Sequence, residues 1–254
     1  MRIKNKVLTA PMIIAIILIP VIIIGSVVLI SLQNIANANS EIVSGINTLT
    51  TLESRDVLTM EEEIDFVKRK TVDANNYPTL FESSVVLGDS IAEGLGLYGY
   101  LKPSSLLGLL GKSTATSIED VPQLVKMAPR NIFIELGLND ISYPDRDLNS
   151  YISSYEKLID AIKFQLPNTQ IYICSIFPVT DKVLQERPEF NKIETYNAAL
   201  TELAKRKNVS YIDTYTLLKT NPQYHDEDGI HLVSQFYPLW LDTLVNNSVL
   251  SKLL

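Results

Sequence analysis

The chain has 254 residues, of which 46% are hydrophobic and 20% are charged, and its formal net charge is −7 at pH 7. An acidic chain without a basic run argues against nucleic acid or an anionic lipid surface as the main partner. The single cysteine, Cys174, excludes an intrachain disulfide, and two histidines are few for a metal site. We therefore expect neither a metal nor a cofactor.

The first predicted element is a helix that crosses a membrane. Residues 10–31 are uncharged and almost wholly apolar, and a helix needs about 20 residues to span the hydrocarbon core. Residues 1–9 contain three basic side chains, and no acidic residue occurs before Glu41. The positive-inside rule then predicts a cytoplasmic segment 1–9, a signal anchor at 10–31 and an exported remainder whose formal charge is −10.

A cleaved signal peptide is the alternative interpretation of the same segment. Ala36, Asn37 and Ala38 fit the small-x-small pattern of a cleavage site. However, the apolar run is longer than the ~7–15 residues usual in a signal peptide, and Ala38 lies well beyond its end. The pattern favours a retained single-pass anchor, with secretion after cleavage near Ala38 as the other possibility.

Residues 32–80 are predicted to be an extracytoplasmic stalk or linker rather than a domain. Polar and small residues predominate in its first part. Thr59 to Glu62 has the S/T-x-x-E form of a capping box and predicts a short helix that continues through Lys70. A spacer is the favoured role for this segment.

From residue 83 to residue 254, short apolar runs alternate with helical patterns. The runs that predict buried strands are Val85–Leu87, Leu106–Leu110, Ile132–Leu136, Ile171–Cys174 and Val209–Ile212. A helical pattern runs from Leu148 to Leu166 with Asp147 as its N-cap and Pro167 as its stop, another covers Phe190 to Ala204, and a third follows Ser234. Such alternation implies right-handed crossovers, so we predict an α/β three-layer sandwich with a five-stranded parallel sheet.

Three short motifs offer the groups needed for acyl transfer through a serine. They are Gly88-Asp89-Ser90, Gly137-Leu138-Asn139-Asp140 and Asp228-Gly229-Ile230-His231. They provide a hydroxyl nucleophile, a side-chain amide, and an imidazole three residues after a carboxylate. The predicted strand ends place Ser90, Gly111 and Asn139 at the carboxyl edge of the sheet, where open α/β sheets form their sites.

The order and spacing of these motifs resemble the SGNH (GDSL-like) hydrolase family over residues 83–250. The resemblance implies a five-stranded, flavodoxin-like α/β sandwich in which Ser90 is the nucleophile, His231 is the general base and Asp228 orients the imidazole. It also implies an oxyanion hole formed by the side-chain amide of Asn139 and the backbone N–H groups of Ser90 and Gly111. Gly108 is the alternative glycine.

Several neighbouring residues compete for these roles. His225 is a rival base, and Asp226 and Glu227 are rival partners for the imidazole. Asp89 is expected to be a structural hydrogen-bonding residue of its turn.

Other polar residues are expected to support the site or its surroundings. Asp140 is expected to brace the loop of Asn139, and Asn197 to be a buried structural amide. Glu135 has no assigned role. Ser142 and Tyr143, with the long connection 175–189, are predicted to shape the substrate pocket.

The expected function is that of a membrane-anchored, extracytoplasmic serine esterase. Its predicted substrate is an O-acyl ester, with O-acetyl favoured, on cell-envelope or exported carbohydrate. An O-acyltransferase that uses the same site is one alternative, and a non-catalytic membrane-tethered binding protein is another. Lipase and thioesterase activities, which also occur in this family, are further possibilities. The sequence does not indicate an oligomeric state.

Overall fold

The computed structural model describes Gln33, residues 76–143 and residues 147–254. The chain divides into two units, Met1–Arg69 and Lys70–Leu254, and every element below belongs to the second unit. The predicted cytoplasmic segment, membrane helix and Thr59–Lys70 helix lie outside the described residues. Within those residues, no helix is both long enough and apolar enough to span a membrane.

The centre of the second unit is a parallel β-sheet. Its strands are β1 (Ser84–Gly88), β2 (Leu106–Gly108), β3 (Asn131–Glu135), β4 (Gln170–Cys174) and β5 (Ser210–Ile212). Their order in the sheet is β2-β1-β3-β4-β5, and every neighbouring pair is parallel. The predicted five-stranded parallel sheet is therefore confirmed.

Both faces of this sheet are covered. Every residue of β1 and of β3 is buried. Since alternate side chains of a strand point to opposite faces, complete burial requires packed layers on both sides. The order also reverses between β1 and β3, and the crevice at such a switch point is where open α/β sheets bind ligands.

The helices of this unit lie before the first strand, in the connections between strands and after the last strand. They are α1 (Tyr77–Leu80), α2 (Ser90–Leu97), α3 (Val121–Met127), α4 (Leu138–Ser142), α5 (Leu148–Gln165), α6 (Asp181–Glu186), α7 (Ile193–Lys207), α8 (Tyr215–Lys219) and α9 (Phe236–Asn246). Helix α5 begins where the sequence predicts, because the carboxylate of Asp147 accepts a hydrogen bond from the Ser150 N–H. It ends two residues before Pro167.

The folded unit begins earlier than residue 83. Tyr77 and Phe81 are fully buried, although the sequence interpretation placed residue 77 in the stalk. The Tyr77 hydroxyl donates to Asp242 Oδ1 at 2.7 Å and to the Pro238 carbonyl at 3.0 Å, both at helix α9. The end of the predicted stalk thus belongs to the domain. Its residues contact partners more than 150 positions away, which no local pattern can indicate.

Removing the Phe81 ring is expected to destabilise the unit strongly. Its centroid lies 5.6 Å from that of Phe133 in the sheet, so Phe81→Ala would leave a cavity beside β3. We expect a loss of about 3–5 kcal/mol in the free energy of unfolding, measured on the full chain by urea titration. The exposed neighbour provides the control, since Glu82→Ala should change little. Equal stability of the two variants would contradict the placement of Phe81 in the core.

The only cysteine of the chain lies inside the sheet. Cys174 ends β4 and is fully buried. Burial raises the pKa of its thiol well above the ordinary value, and the nearby Glu135 adds to this effect. The prediction of a packing residue rather than a reactive thiol agrees with this position.

Candidate active site

Ser90 is the first residue of a helix that begins directly after the central strand. Strand β1 ends at Gly88, and the Asp89 carboxylate caps helix α2 by accepting the Ile91 N–H at 2.9 Å. As the first residue of α2, Ser90 has a backbone N–H without an acceptor inside the helix. Its hydroxyl and this N–H therefore lie together at the carboxyl edge of the sheet.

A continuous chain of hydrogen bonds joins Ser90, His231 and Asp228. Ser90 Oγ lies 2.9 Å from His231 Nε2, and His231 Nδ1 lies 2.6 Å from Asp228 Oδ2. An ionised Asp228 fixes the proton on Nδ1, which leaves Nε2 as the acceptor that faces the serine hydroxyl. This is the geometry in which an imidazole can remove the serine proton.

The carboxylate of Asp228 is held in its charged form. Partial burial opposes its ionisation, but hydrogen bonds from the His231 ring and from the Ile230 and His231 N–H groups outweigh burial and lower its pKa below the ordinary value. The His231 and Asp228 side chains keep 42% and 48% of their surface exposed. This side of the site is consequently accessible to solvent.

Gly229 fixes the turn between Asp228 and His231. Its φ is +71°, in the left-handed region, and a Cβ at this position would overlap the Thr180 hydroxyl. The Thr180 N–H also donates to the Gly229 carbonyl at 3.0 Å. The loop of His231 is thereby attached to the segment after β4. Sequence reasoning did not find Thr180, and no local signal marks it.

The rival residues of this loop have other partners. His225 Nδ1 lies 3.0 Å from the Pro222 carbonyl, and His225 Nε2 lies 3.0 Å from the Pro178 carbonyl. Asp226 accepts the Glu227 N–H at 2.7 Å through its carboxylate. The structure brings His231 to Ser90 and Asp228 to His231, as the motif predicts. The catalytic roles of these residues stay a prediction.

Asn139 reaches the same edge from helix α4. Its amide nitrogen donates to Asp89 Oδ2 at 3.2 Å and to the Lys112 carbonyl at 2.9 Å. An amide nitrogen has two hydrogens, so both are engaged. Donation to an oxyanion therefore requires Asn139 to share or exchange one of these contacts. Its role in the oxyanion hole stays a prediction.

The two candidate glycines, Gly108 at the end of β2 and Gly111 after it, differ in what their positions require. A Cβ on Gly108 would lie 2.5 Å from the Glu93 backbone nitrogen, so this glycine allows α2 to pack against β2. Gly111 lies beyond the end of the strand, is exposed and has a φ of +73°. The role of Gly111 in the oxyanion hole, with Gly108 as the alternative, stays a prediction.

The loop that contains Gly111 is anchored on both sides. The ammonium of Lys112 pairs with Asp120 at 2.7 Å and donates to the Leu107 carbonyl at 3.1 Å. The buried Asp140 accepts the Thr114 hydroxyl at 2.7 Å and its N–H at 3.0 Å. Asp140 therefore ties the loop after β2 to helix α4, which follows β3, and this extends the bracing role expected for it.

The residues predicted to shape the substrate pocket differ in their contacts and in their exposure to solvent. The Ser142 hydroxyl donates to the Leu138 carbonyl of its own helix at 2.9 Å, while Tyr143 is about half exposed. The connection 175–189 contains helix α6, so it is less irregular than its two prolines suggest. Asn197 bonds the N–H and the carbonyl of Ile176, as expected for a structural amide. Substrate contacts by Ser142 and Tyr143 stay a prediction.

A parallel sheet of order 2-1-3-4-5, with a serine, a histidine and an aspartate linked at its carboxyl edge, is the arrangement of an SGNH-type hydrolase. The chain belongs to the GDSL-like lipase/acylhydrolase family, whose model matches residues 86–237. That range includes all three motifs of the site. The protein is accordingly an SGNH/GDSL-type hydrolase, an esterase.

Solved structures of low sequence identity share this fold. A GDSL-like lipase from Bacteroides thetaiotaomicron is 17% identical with a TM-score of 0.56, over 73% of this chain and 100% of that one. A carbohydrate esterase family 3 protein from Talaromyces cellulolyticus is 18% identical with a TM-score of 0.52, over 67% and 96%.

An acetylxylan esterase from Geobacillus stearothermophilus, in the form of a catalytic mutant, is 15% identical with a TM-score of 0.50, over 64% and 92%. At such identities the likeness concerns the fold alone. No functionally curated protein matches the chain.

Proposed function

We propose that this esterase removes O-acetyl groups from carbohydrate outside the cytoplasm, while a helix at residues 10–31 anchors it in the membrane. The observation that supports the proposed chemistry is the hydrogen-bond chain from Ser90 through His231 to Asp228. It supplies a nucleophile, a base and an orienting carboxylate at the open edge of the sheet.

In the first half of the reaction, the Ser90 oxygen attacks the acyl carbon of the ester. His231 Nε2 takes the serine proton, and the electrons of the carbonyl bond move to its oxygen, which becomes the oxyanion. When the tetrahedral intermediate collapses, the bond to the sugar oxygen breaks. His231 returns the proton to that oxygen, so a neutral alcohol leaves and an acetyl-serine remains.

In the second half, a water molecule takes the place of the alcohol. His231 accepts one proton of the water as its oxygen attacks the acetyl carbon, and the second collapse breaks the bond to Ser90. The serine oxygen recovers the proton, and acetic acid is released, which ionises in solution. In both halves, Asp228 stabilises the imidazolium that forms.

Two observations and one prediction support a carbohydrate ester as the substrate. The His231–Asp228 side of the site is exposed enough for an ester on a large polymer to approach it. Two proteins of similar fold are described as a carbohydrate esterase and an acetylxylan esterase. The predicted export of the domain would place it beside envelope or exported glycans.

The substrate proposal is tested by measuring acetate release. We expect the full chain to release acetate from O-acetylated xylooligosaccharides and Ser90→Ala to release none. With aryl esters as substrates, kcat/KM should fall by about tenfold or more from acetyl to butyryl, since two added methylenes must fit a site suited to acetyl. Faster cleavage of long acyl chains, or no acetate from any glycan, would contradict the proposal.

The proposed location needs a separate measurement. The N-terminal sequence of the protein isolated from membranes of its host should begin at Met1 or the residue after it. A new N-terminus close to Ala38 would instead indicate a secreted esterase without an anchor.

A further inference from the structure

Two buried carboxyl groups lie directly behind the nucleophile. Asp89 precedes Ser90, and Glu135 is the last residue of β3; both are almost completely buried. In the part of the chain that the structure describes, neither carboxyl pairs with a lysine or an arginine. Burying two acids without a counter-ion is costly, so their position needs an explanation.

Glu135 lies beside Gly88, the residue that precedes Asp89. The two residues are paired in the parallel register of β1 and β3. A Cβ on Gly88 would lie 3.4 Å from Glu135 Oε2 and 2.7 Å from the Glu135 carbonyl oxygen. The glycine of the first motif therefore allows helix α2 and strand β3 to pack closely against β1, and the Glu135 carboxyl lies at ordinary van der Waals distance from this position, one residue before Asp89.

The hydrogen bonds around the pair indicate where its proton resides. Neither oxygen of Glu135 receives a hydrogen bond from an N–H or hydroxyl group of the described residues. The Glu135 carboxyl is within hydrogen-bonding range of Asp89, and two carboxyl groups can bond only through a proton. Asp89 also accepts from the Ile91 N–H and the Asn139 amide, which stabilise a charge on Asp89.

The proton therefore belongs to Glu135. Burial raises the pKa of Glu135 well above its usual range, and the neighbouring Asp89 raises it further. Burial also raises the pKa of Asp89, to about 6, against the opposing effect of the hydrogen bond from the Ile91 N–H. At neutral pH the pair then has one negative charge, on Asp89.

We propose that Glu135 is a positioning residue that acts as a neutral acid: its O–H donates to Asp89, which in turn holds the Asn139 amide and the start of α2. This proposal rests on the proposed esterase function and on the oxyanion role predicted for Asn139. It assigns Glu135 a function in the esterase reaction without contact to the substrate.

A second effect follows because the Asn139 amide, which is predicted to bind the oxyanion, also contacts Asp89. A carboxylate close to that oxygen raises the energy of the transition state, because like charges repel. The O–H of Glu135 draws part of the Asp89 charge away from the site.

The first test compares two replacements of Glu135 in the full chain, with an aryl acetate as substrate. Glu135→Gln keeps a neutral donor, and we expect kcat to stay within about fivefold of the natural chain. Glu135→Leu removes the donor at similar volume, and we expect kcat to fall about 10- to 100-fold, since small misplacements of a catalytic group cost that much. If Glu135→Gln is as damaging as Glu135→Leu, the neutral-donor role is wrong.

A matched control comes from the other end of β3. Asn131 is also buried and bonds the Ser84 hydroxyl, but it lies at the amino edge of the sheet. Asn131→Leu repeats the polar-to-apolar change away from the site. It should lower the melting temperature while kcat stays unchanged. A loss of kcat equal to that of Glu135→Leu would show that the effect is structural.

A double-mutant cycle with Asn139→Ala tests the route through the amide. If Glu135 acts through Asn139, the Glu135→Leu change should lower kcat by less than about threefold in the Asn139→Ala background. Equal losses in both backgrounds would overturn the proposal. Because the substrate is an aryl acetate, this result does not depend on whether carbohydrate is the natural substrate.

Infrared spectroscopy provides a readout that does not depend on turnover. The difference spectrum between the natural chain and Glu135→Gln should contain the carbonyl band of a protonated carboxylic acid at neutral pH. If that spectrum contains carboxylate bands and no band of a protonated acid, Glu135 is ionised. This result would overturn the proposal even if Glu135→Gln and Glu135→Leu were both inactive.

Discussion

Replacing Ser90 with alanine is expected to lower kcat by about 10⁶-fold, as removal of the nucleophile does in serine hydrolases of this chemistry. The Ser90 oxygen is the atom that His231 Nε2 contacts at 2.9 Å, so no other hydroxyl can replace it without moving the imidazole. The measurement is the intact mass of the full chain after exposure to a fluorophosphonate. The natural chain should gain one adduct, and Ser90→Ala should gain none.

The control for this experiment is a serine outside the site. Ser153 lies exposed on helix α5, and Ser153→Ala should be labelled as fast as the natural chain. An adduct that persists in Ser90→Ala would assign the nucleophile to another residue. A folded natural chain that gains no adduct would favour the non-catalytic alternative over the esterase mechanism.

Asp228→Asn is expected to lower kcat by about 10⁴-fold, the effect of the equivalent change in other serine triads. An asparagine amide would donate to His231 Nδ1 and so move the ring proton to Nε2. The ring would then present a donor to Ser90, where the reaction needs an acceptor. The measurement is kcat for an aryl acetate, with the melting temperature as a check on folding.

Asp226 provides the matched comparison for this change, because it is a carboxylate of the same loop. Its carboxylate bonds the Glu227 N–H and its backbone N–H bonds the His231 carbonyl, so Asp226→Asn leaves the ring contact intact. We expect less than about a threefold change in kcat. A large loss of kcat in Asp226→Asn together with a small one in Asp228→Asn would make Asp226 the orienting acid.

The sequence predicts where the site lies in the fold better than it predicts the contacts within the site. Ser90 and Asn139 each follow an apolar run, and strands of a parallel sheet end at one edge, so their proximity follows from topology. The three-residue offset between Asp228 and His231 also predicts their pairing, since one tight turn contains both. These inferences need only local sequence patterns and the rule that the carboxyl ends of parallel strands lie at one edge of the sheet.

Contacts between distant segments could not be predicted in this way. Nothing near Thr180 indicates that it packs on Gly229, and nothing near Lys112 indicates that its carbonyl accepts the Asn139 amide. Glu135 is visible in the sequence as a charge inside a strand, but its partner depends on the register between β1 and β3. Tyr77 is missed for the same reason, because its partners are on the last long helix.

The burial of Cys174 makes the protein suitable for fluorescence studies with a single dye. A thiol that is enclosed in the sheet and has a raised pKa stays protonated and out of reach of maleimide reagents. A cysteine introduced at the exposed Leu110, next to Gly111, would then be the only reactive thiol in the molecule. Emission from that position would report whether the loop moves when an ester is bound, with the natural Cys174 left in place.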